Sequence, residues 1–208
     1  ARHRILAVLC GAALSAGCLG EARRGGVAPK ASIPAPVAST GPACPGGQSE
    51  DPPMRDLDWA LVAFGEKRYR DAQSQLDALA ERYPRSATVR VWRAEATLYE
   101  GKLEDGVDAY REAAARALTH YRAAAALHEA GCALLASDHY YLRMGAAYAH
   151  LRLGAPNPAL RELEEARARW PDSAEVPYTI ARAECARGQV DACVAAFTTT
   201  LELARDRR

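Results

Sequence analysis

Apolar residues at helical spacing alternate with glycine and proline breaks along the chain, and the clearest case lies at residues 153–171. Gly154 interrupts one helical pattern, and Pro158 stands where the first turn of a new helix tolerates proline. Pro171 ends the second pattern. The apolar positions on one face are Ala159, Leu163, Ala166 and Trp170. The pattern therefore predicts a pair of helices, the second of them amphipathic.

This arrangement of a helix, a break, a second helix and a stop returns at a fixed period along the chain. Gly106 follows Ala72 by one period, and Cys193 follows Ala159 by the same interval. The interval from Gly106 to Ala159 is longer, which indicates one period with an insertion. Four positions after its small residue, each predicted second helix has a large apolar residue: Leu76, Tyr110, Leu163 and Phe197.

Paired helices with a period of about 34 residues resemble the tetratricopeptide repeat (TPR) family, here over roughly residues 53–205. The small residue that the family places in each first helix matches Ala60, Ala94, Ala147 and Ala181. The family's closing proline is present as Pro84 and Pro171, but repeats two and four have Leu118 and Arg205 there. The resemblance implies an all-α solenoid of about four helical hairpins at residues 54–205; the alternative is a non-repeating helical bundle.

The insertion between the second and third repeats covers residues 119–139 and is rich in helix-forming residues. We expect it to form an extra helix or an incomplete repeat. Its packing candidates are Tyr121, Ala124, Ala125, Leu127, Leu134 and Leu135.

The segment 1–17 resembles a bacterial lipoprotein signal peptide. Arg2 and Arg4 precede an apolar run at residues 5–16, which is too short to span a bilayer permanently. Small residues then precede Cys18, as in the lipobox of that family, where the cysteine is lipidated after cleavage. Leu19 resembles the residue that sorts such proteins to the outer membrane, facing the periplasm. The alternative is an ordinary signal peptide cut after Ala16 or Gly17.

The composition of residues 18–53 predicts a disordered tether between the lipid and the repeats. Residues 20–53 contain seven of the twelve prolines and six glycines, with few large apolar side chains. Such a segment buries too little apolar surface to offset the entropy of ordering the chain.

Four cysteines remain after processing: Cys44, Cys132, Cys185 and Cys193. Export places them in an oxidising compartment, where an even number of cysteines favours disulfides. Cys185 and Cys193 flank the predicted turn near Gly188, so we predict that they form a disulfide across the last hairpin. The alternative for this pair is two small buried hydrophobic residues. Cys44 and Cys132 either pair or stay reduced.

Charge and motifs exclude several function classes. The formal net charge is +1, which favours neither nucleic acid nor another polyanion as a partner. The sequence has no GxSxG, P-loop, GxGxxG or paired CxxC motif, so it predicts no enzyme and no cofactor. His128 and Cys132 are separated by one helical turn, but two ligands without a second pair do not predict a metal site.

The family resemblance implies that first helices line the inner surface of the solenoid and bind a protein or peptide partner. The implied function is a lipid-anchored periplasmic scaffold, which helps to assemble an envelope complex. The alternative is a regulator that binds peptidoglycan or a peptidoglycan enzyme. Carried over by family register, the groove positions are Leu57, Leu61, Phe64, Trp92, Tyr99, Tyr141, Met144, Tyr148 and Tyr178, with Val91, Glu95, Arg152 and Arg182 also facing inward.

Overall fold

The computed structural model describes Cys44 and residues 51–206. Within these residues the chain forms eight α-helices, one short 3₁₀ helix at Leu103–Asp105, and no β-strand. The fold of this part is therefore all-α. The helices are α1 (Met54–Gly65), α2 (Tyr69–Arg82), α3 (Ala87–Glu100), α4 (Val107–Glu129), α5 (Ala136–Arg152), α6 (Pro156–Arg169), α7 (Glu175–Ala186) and α8 (Val190–Asp206).

Three of the four odd-numbered helices end in the same hydrogen-bonded turn. After α5 and α7 the chain passes through Gly154 (φ 71°) and Gly188 (φ 76°), in the left-handed region that glycine adopts without strain. After α1 the residue at the same place is Lys67, with φ 61°. In each turn the next backbone N–H donates back to a carbonyl of the preceding helix at 2.9 Å, as Arg68 does to Ala63. These three helices therefore share one way of ending.

The helices pack in a regular order. Each helix contacts the next one along the chain, and α1 contacts α3, α3 contacts α5, and α5 contacts α7. No two of α2, α4, α6 and α8 contact one another within the described residues. The odd-numbered helices therefore make a continuous series of contacts, and each even-numbered helix packs beside it.

Small residues allow this close packing. The four alanines predicted in the middle of the first helices, Ala60, Ala94, Ala147 and Ala181, are all fully buried. Around them lie three apolar clusters, formed by α1–α3, by α3–α5 and by α5–α7. The largest fully buried side chains of these clusters include Leu76, Leu98, Tyr121 and Leu163. A methyl side chain lets two helix backbones approach closely without leaving a void.

The prediction of an extra helix in the insertion is wrong. Residues 119–129 continue α4 without a break, and residues 130–135 form a loop before α5. The run between Gly106 and Gly131 contains no glycine or proline, so nothing ends the helix. Burial of Tyr121 and Ala124 stabilises the extension, which adds about three turns to α4.

The predicted signal peptide (residues 1–17) and the lipidation site Cys18 lie outside the described residues. Part of the predicted tether is described, and it is not free there. Cys44 is buried and forms a disulfide with Cys132, in the loop before α5. Pro52 is also buried, and Pro53 immediately precedes α1. At Cys44 and at residues 51–53, the chain therefore belongs to the folded part.

Candidate functional site

Aromatic side chains of α1, α2, α3 and α5 form a continuous cluster of rings. The ring of Phe64 contacts those of Trp92 and Tyr99, each with centroids 5.6 Å apart. Tyr69, at the start of α2, stacks on Tyr99 at 5.7 Å, and Trp92 contacts Tyr141 at 4.9 Å. We call Phe64, Tyr69, Trp92, Tyr99 and Tyr141 the aromatic cluster; it links α1, α2, α3 and α5.

Most of the nine predicted groove residues are accessible, but two are not; Val91 and Glu95, which were also expected to face inward, are buried as well, so that expectation is wrong for them. Leu57 and Met144 are buried in the apolar clusters, with 5% and 2% of their surface exposed, so their assignment to the groove is wrong. Each packs in an apolar cluster that joins its helix to the neighbouring helices. Leu61, Phe64, Trp92 and Tyr148 are half-buried, while Tyr99, Tyr141 and Tyr178 are exposed.

Trp92 is held in place by a buried carboxylate. Asp138 at the start of α5 accepts a hydrogen bond from Thr88 Oγ1 at 2.9 Å and another from the Trp92 side chain. Burial raises the pKa of Asp138, and these hydrogen bonds oppose the shift by favouring the carboxylate. Trp92 packs between Phe64 and Tyr141, and its side chain is hydrogen-bonded to Asp138. It therefore supports the exposed Tyr141 rather than acting as a free contact residue.

A cavity of about 200 Å³ opens beside the aromatic cluster. We call it the arginine–tyrosine cavity, lined by Leu98, Tyr99, Tyr110, Tyr148, Arg152 and Arg182. Arg152 donates hydrogen bonds to the carbonyl oxygens of Leu98 and Gly101, and its guanidinium lies 4.3 Å from the centre of the Tyr110 ring. Arg182 lies 5.5 Å from the centre of the Tyr148 ring.

Two carboxylates lie near this cavity. Glu175 accepts hydrogen bonds from the hydroxyls of Tyr140 (2.7 Å) and Tyr148 (2.9 Å). Burial, more than the neighbouring carboxylate, raises the pKa of both tyrosines, that of Tyr140 to about 12, so both hydroxyls stay protonated and donate.

The second carboxylate, Glu95, is almost completely buried and accepts a hydrogen bond from Tyr121 at 2.6 Å. Burial raises the pKa of Glu95 to about 7, since desolvation disfavours the charged form. The hydrogen bond from Tyr121 works in the opposite direction.

Sequence reasoning misses several residues of this site. Tyr69, Tyr140 and Glu175 are not among the predicted groove residues, and Tyr110 is predicted only as the large apolar residue of a second helix. Tyr110 does carry a signal: a tyrosine has both an apolar ring and a polar hydroxyl, so it suits the edge of a helix pair as well as its core. The contact of Tyr110 with Arg152 depends on packing between helices and has no local sequence signal.

The four cysteines in the described part of the chain form two disulfides. Cys185 and Cys193 are joined across the turn between α7 and α8, with Cα atoms 5.2 Å apart. Cys44 and Cys132 are joined with Cα atoms 5.1 Å apart. Cys132 Sγ is therefore not a free thiolate, and His128 Nδ1 lies 3.3 Å from the Cys132 carbonyl oxygen. The described residues contain no group of three or more His, Cys, Asp or Glu side chains arranged to hold a metal.

No protein-family model matches the chain, and no curated protein matches it significantly. In the described part of the chain, none of the helices combines the length and the apolar composition needed to cross a bilayer. The site is thus characterised by its own geometry: exposed tyrosines over rigid ring contacts, next to a cavity with two arginines.

Proposed function

We propose that residues 54–206 form a TPR-like stack of four helical hairpins, and that this stack is a non-catalytic scaffold for a protein partner. The sequence period, the repeated turn after α1, α5 and α7, and the continuous contacts between odd-numbered helices support the stack. In such a stack, the odd-numbered helices present one shared surface to a partner.

The single observation that carries the binding proposal is the accessible aromatic surface on these helices. Tyr99, Tyr141 and Tyr178, on α3, α5 and α7, keep 41%, 38% and 43% of their surface exposed. Tyrosine and arginine are enriched among the residues that dominate binding energy at interfaces. Tyrosine loses little conformational entropy on binding because it has few rotatable bonds, and here the ring contacts already restrict Tyr99 and Tyr141.

The location we propose is the periplasmic side of the outer membrane, with a lipid anchor on Cys18. The lipoprotein-like signal sequence supports this location. Two disulfides also fit an exported protein, since disulfides persist in oxidising compartments. If Cys18 is lipidated, the purified protein carries fatty acid by mass spectrometry, and Cys18→Ser moves it from the membrane to the soluble fraction. An unlipidated, soluble wild-type protein contradicts the anchor.

Crosslinking in the native cell, followed by identification of the captured protein, tests the scaffold proposal. We expect an envelope protein to be captured, and we expect the double variant Tyr99→Ala/Tyr141→Ala to reduce its capture at least tenfold. The matched control is Val194→Ala/Leu201→Ala, which removes two exposed apolar side chains from α8. Equal capture by the tyrosine variant and the control contradicts the proposed surface. Binding to purified peptidoglycan without any protein supports the alternative, a peptidoglycan-binding regulator.

A further inference from the structure

The two arginines of the arginine–tyrosine cavity form no ion pair with a described acidic side chain, although Arg152 interacts electrostatically with the buried Glu95. Among the described residues, no carboxylate oxygen lies within 4.0 Å of the guanidinium of Arg152 or Arg182. Other arginines that line helix contacts are paired: Arg143 with Glu162 and Glu165 at 2.8 and 2.7 Å, and Arg93 with Asp77. The fold therefore holds two positive charges at one cavity without a neutralising side chain in direct contact.

Both guanidiniums are oriented by their surroundings. The carbonyl groups of Leu98 and Gly101, at the C-terminal end of α3, fix Arg152, and the Tyr110 ring covers one of its faces. Arg182 is exposed and lies over the Tyr148 ring. A guanidinium with an aromatic ring against its face still has N–H groups along its edge, in the geometry that matches a carboxylate.

We propose that the arginine–tyrosine cavity binds the carboxylate of an aspartate or glutamate side chain in an acidic segment of the protein partner. The proposal rests on the proposed scaffold function and specifies the partner's chemistry. A volume of about 200 Å³ holds a single side chain and is below the usual range for drug-sized ligands. Tyr99 lies both in the aromatic cluster and in the lining of the cavity, so one partner segment contacts both.

The nearby acids determine which anion fits. Glu175 is held by the hydroxyls of Tyr140 and Tyr148, and Glu95 is buried against Tyr121. The negative charge of Glu175, and that of Glu95 in its ionised fraction, opposes a second anion, and it opposes a dianion more strongly than a monoanion. The cavity therefore favours the single charge of a side-chain carboxylate over inorganic phosphate, and the acidic segment gains affinity from neighbouring contacts with the exposed tyrosines.

Fluorescence anisotropy with a labelled twelve-residue peptide of alternating glutamate and tyrosine tests this inference, using the full chain. The matched peptide replaces every glutamate by glutamine. We expect the glutamate peptide to bind at least fivefold more tightly than the glutamine peptide, and Arg182→Gln to abolish that difference. The control Arg161→Gln removes the same charge from an exposed position on α6 and should change the affinity less than twofold.

Three outcomes overturn the inference. These are equal affinity for the two peptides, equal weakening by Arg182→Gln and Arg161→Gln, and displacement of the peptide by inorganic phosphate at concentrations where acetate has no effect. Because Arg182 is exposed, we expect Arg182→Gln to have the same circular dichroism spectrum as the wild type. This measurement distinguishes a loss of binding from a loss of folding. If native-cell crosslinking still captures a partner through Tyr99 and Tyr141 but Arg182→Gln has no effect, only this inference fails. If neither surface captures a partner, the scaffold function fails as well.

Discussion

At the residue scale, Gly145 makes room for the buried hydrogen bond between Glu95 and Tyr121. Gly145 of α5 faces both, and a Cβ at this position would overlap the Tyr121 hydroxyl and a Glu95 carboxylate oxygen. The Glu95–Tyr121 hydrogen bond therefore lies directly against the backbone of α5. A buried polar pair is tolerated at this crossing only because both partners are satisfied by each other.

The raised pKa of Glu95 predicts a pH-dependent contribution to stability. A carboxyl whose pKa is about 7 in the folded state and 4.5 as its ordinary value binds a proton more readily when the protein is folded. Its contribution to stability is fully present below pH 4.5 and is lost as the pH rises through about 7. We expect Glu95→Gln, which stays neutral and still accepts from Tyr121, to exceed the wild type in stability by on the order of 2 kcal/mol at pH 8.

Urea denaturation of both proteins between pH 4.5 and 8 checks this prediction. The relevant quantity is the difference in free energy of unfolding between variant and wild type, which should grow with pH. Burial lowers the pKa of His120, His139 and His150 to about 4, but these histidines are common to both proteins, so their effect cancels in the difference. A difference that stays constant with pH contradicts the proposed state of Glu95.

At the scale of the element, the shared feature is the turn that ends α1, α5 and α7. Gly154 and Gly188 occupy left-handed positions, and Lys67 occupies the corresponding position after α1. Side chains other than glycine are strained there by roughly 1 kcal/mol or more. The turn between α1 and α2 is therefore folded against a local backbone preference that the turns after α5 and α7 satisfy.

Lys67→Gly should relieve this strain. We expect the free energy of unfolding to rise by about 0.5 kcal/mol, since the gain is partly offset by the greater freedom of glycine in the unfolded chain. Gly154→Ala is the matched control, and its expected effect has the opposite sign. The added Cβ meets no atom within 4 Å, so we expect the free energy of unfolding to fall by about 1 kcal/mol through backbone strain alone. Urea denaturation at one pH measures both, and a loss of stability in Lys67→Gly contradicts the prediction.

The helix pairs could be predicted from the sequence because periodicity and breaks are local signals. The end of α4 could not be predicted, since the helical composition of residues 119–129 fits both a separate helix and a continuation of α4. Leu57 and Met144 were misplaced because a helix turns by about 100° per residue, and one register error moves a side chain from an open face to a packed one. The contacts of Arg152 and Tyr110 join different helices, so only the tertiary structure shows them.

At the scale of the whole molecule, the two disulfides close loops of very different length. Cys185 and Cys193 are 8 residues apart in sequence, whereas Cys44 and Cys132 are 88 apart. A crosslink restricts the unfolded chain more when the loop is longer, by about 2.5 kcal/mol for the short loop and about 4.5 kcal/mol for the long one. The long-range bridge should therefore contribute more to stability than the local one.

Serine pairs test this expectation. We expect Cys44→Ser/Cys132→Ser to lower the free energy of unfolding by about 2 kcal/mol more than Cys185→Ser/Cys193→Ser does. Urea denaturation without reductant measures the difference. Intact mass with and without reductant confirms which bridges are present, because each reduced disulfide adds two hydrogens. Equal losses in the two variants contradict the loop-length account.

The Cys44–Cys132 disulfide also determines where a pulling force would enter the folded part of a membrane-anchored protein. If Cys18 is held in a membrane, the segment from Cys18 to Cys44 reaches at most about 90 Å, rather than the roughly 120 Å of a segment running on to Pro53. A pull on the partner would pass to the membrane through the loop between α4 and α5, in the middle of the chain. Helix α1 would then lie outside the covalent path from the anchor through the disulfide to that loop, which shields the first helix pair from being peeled away by force.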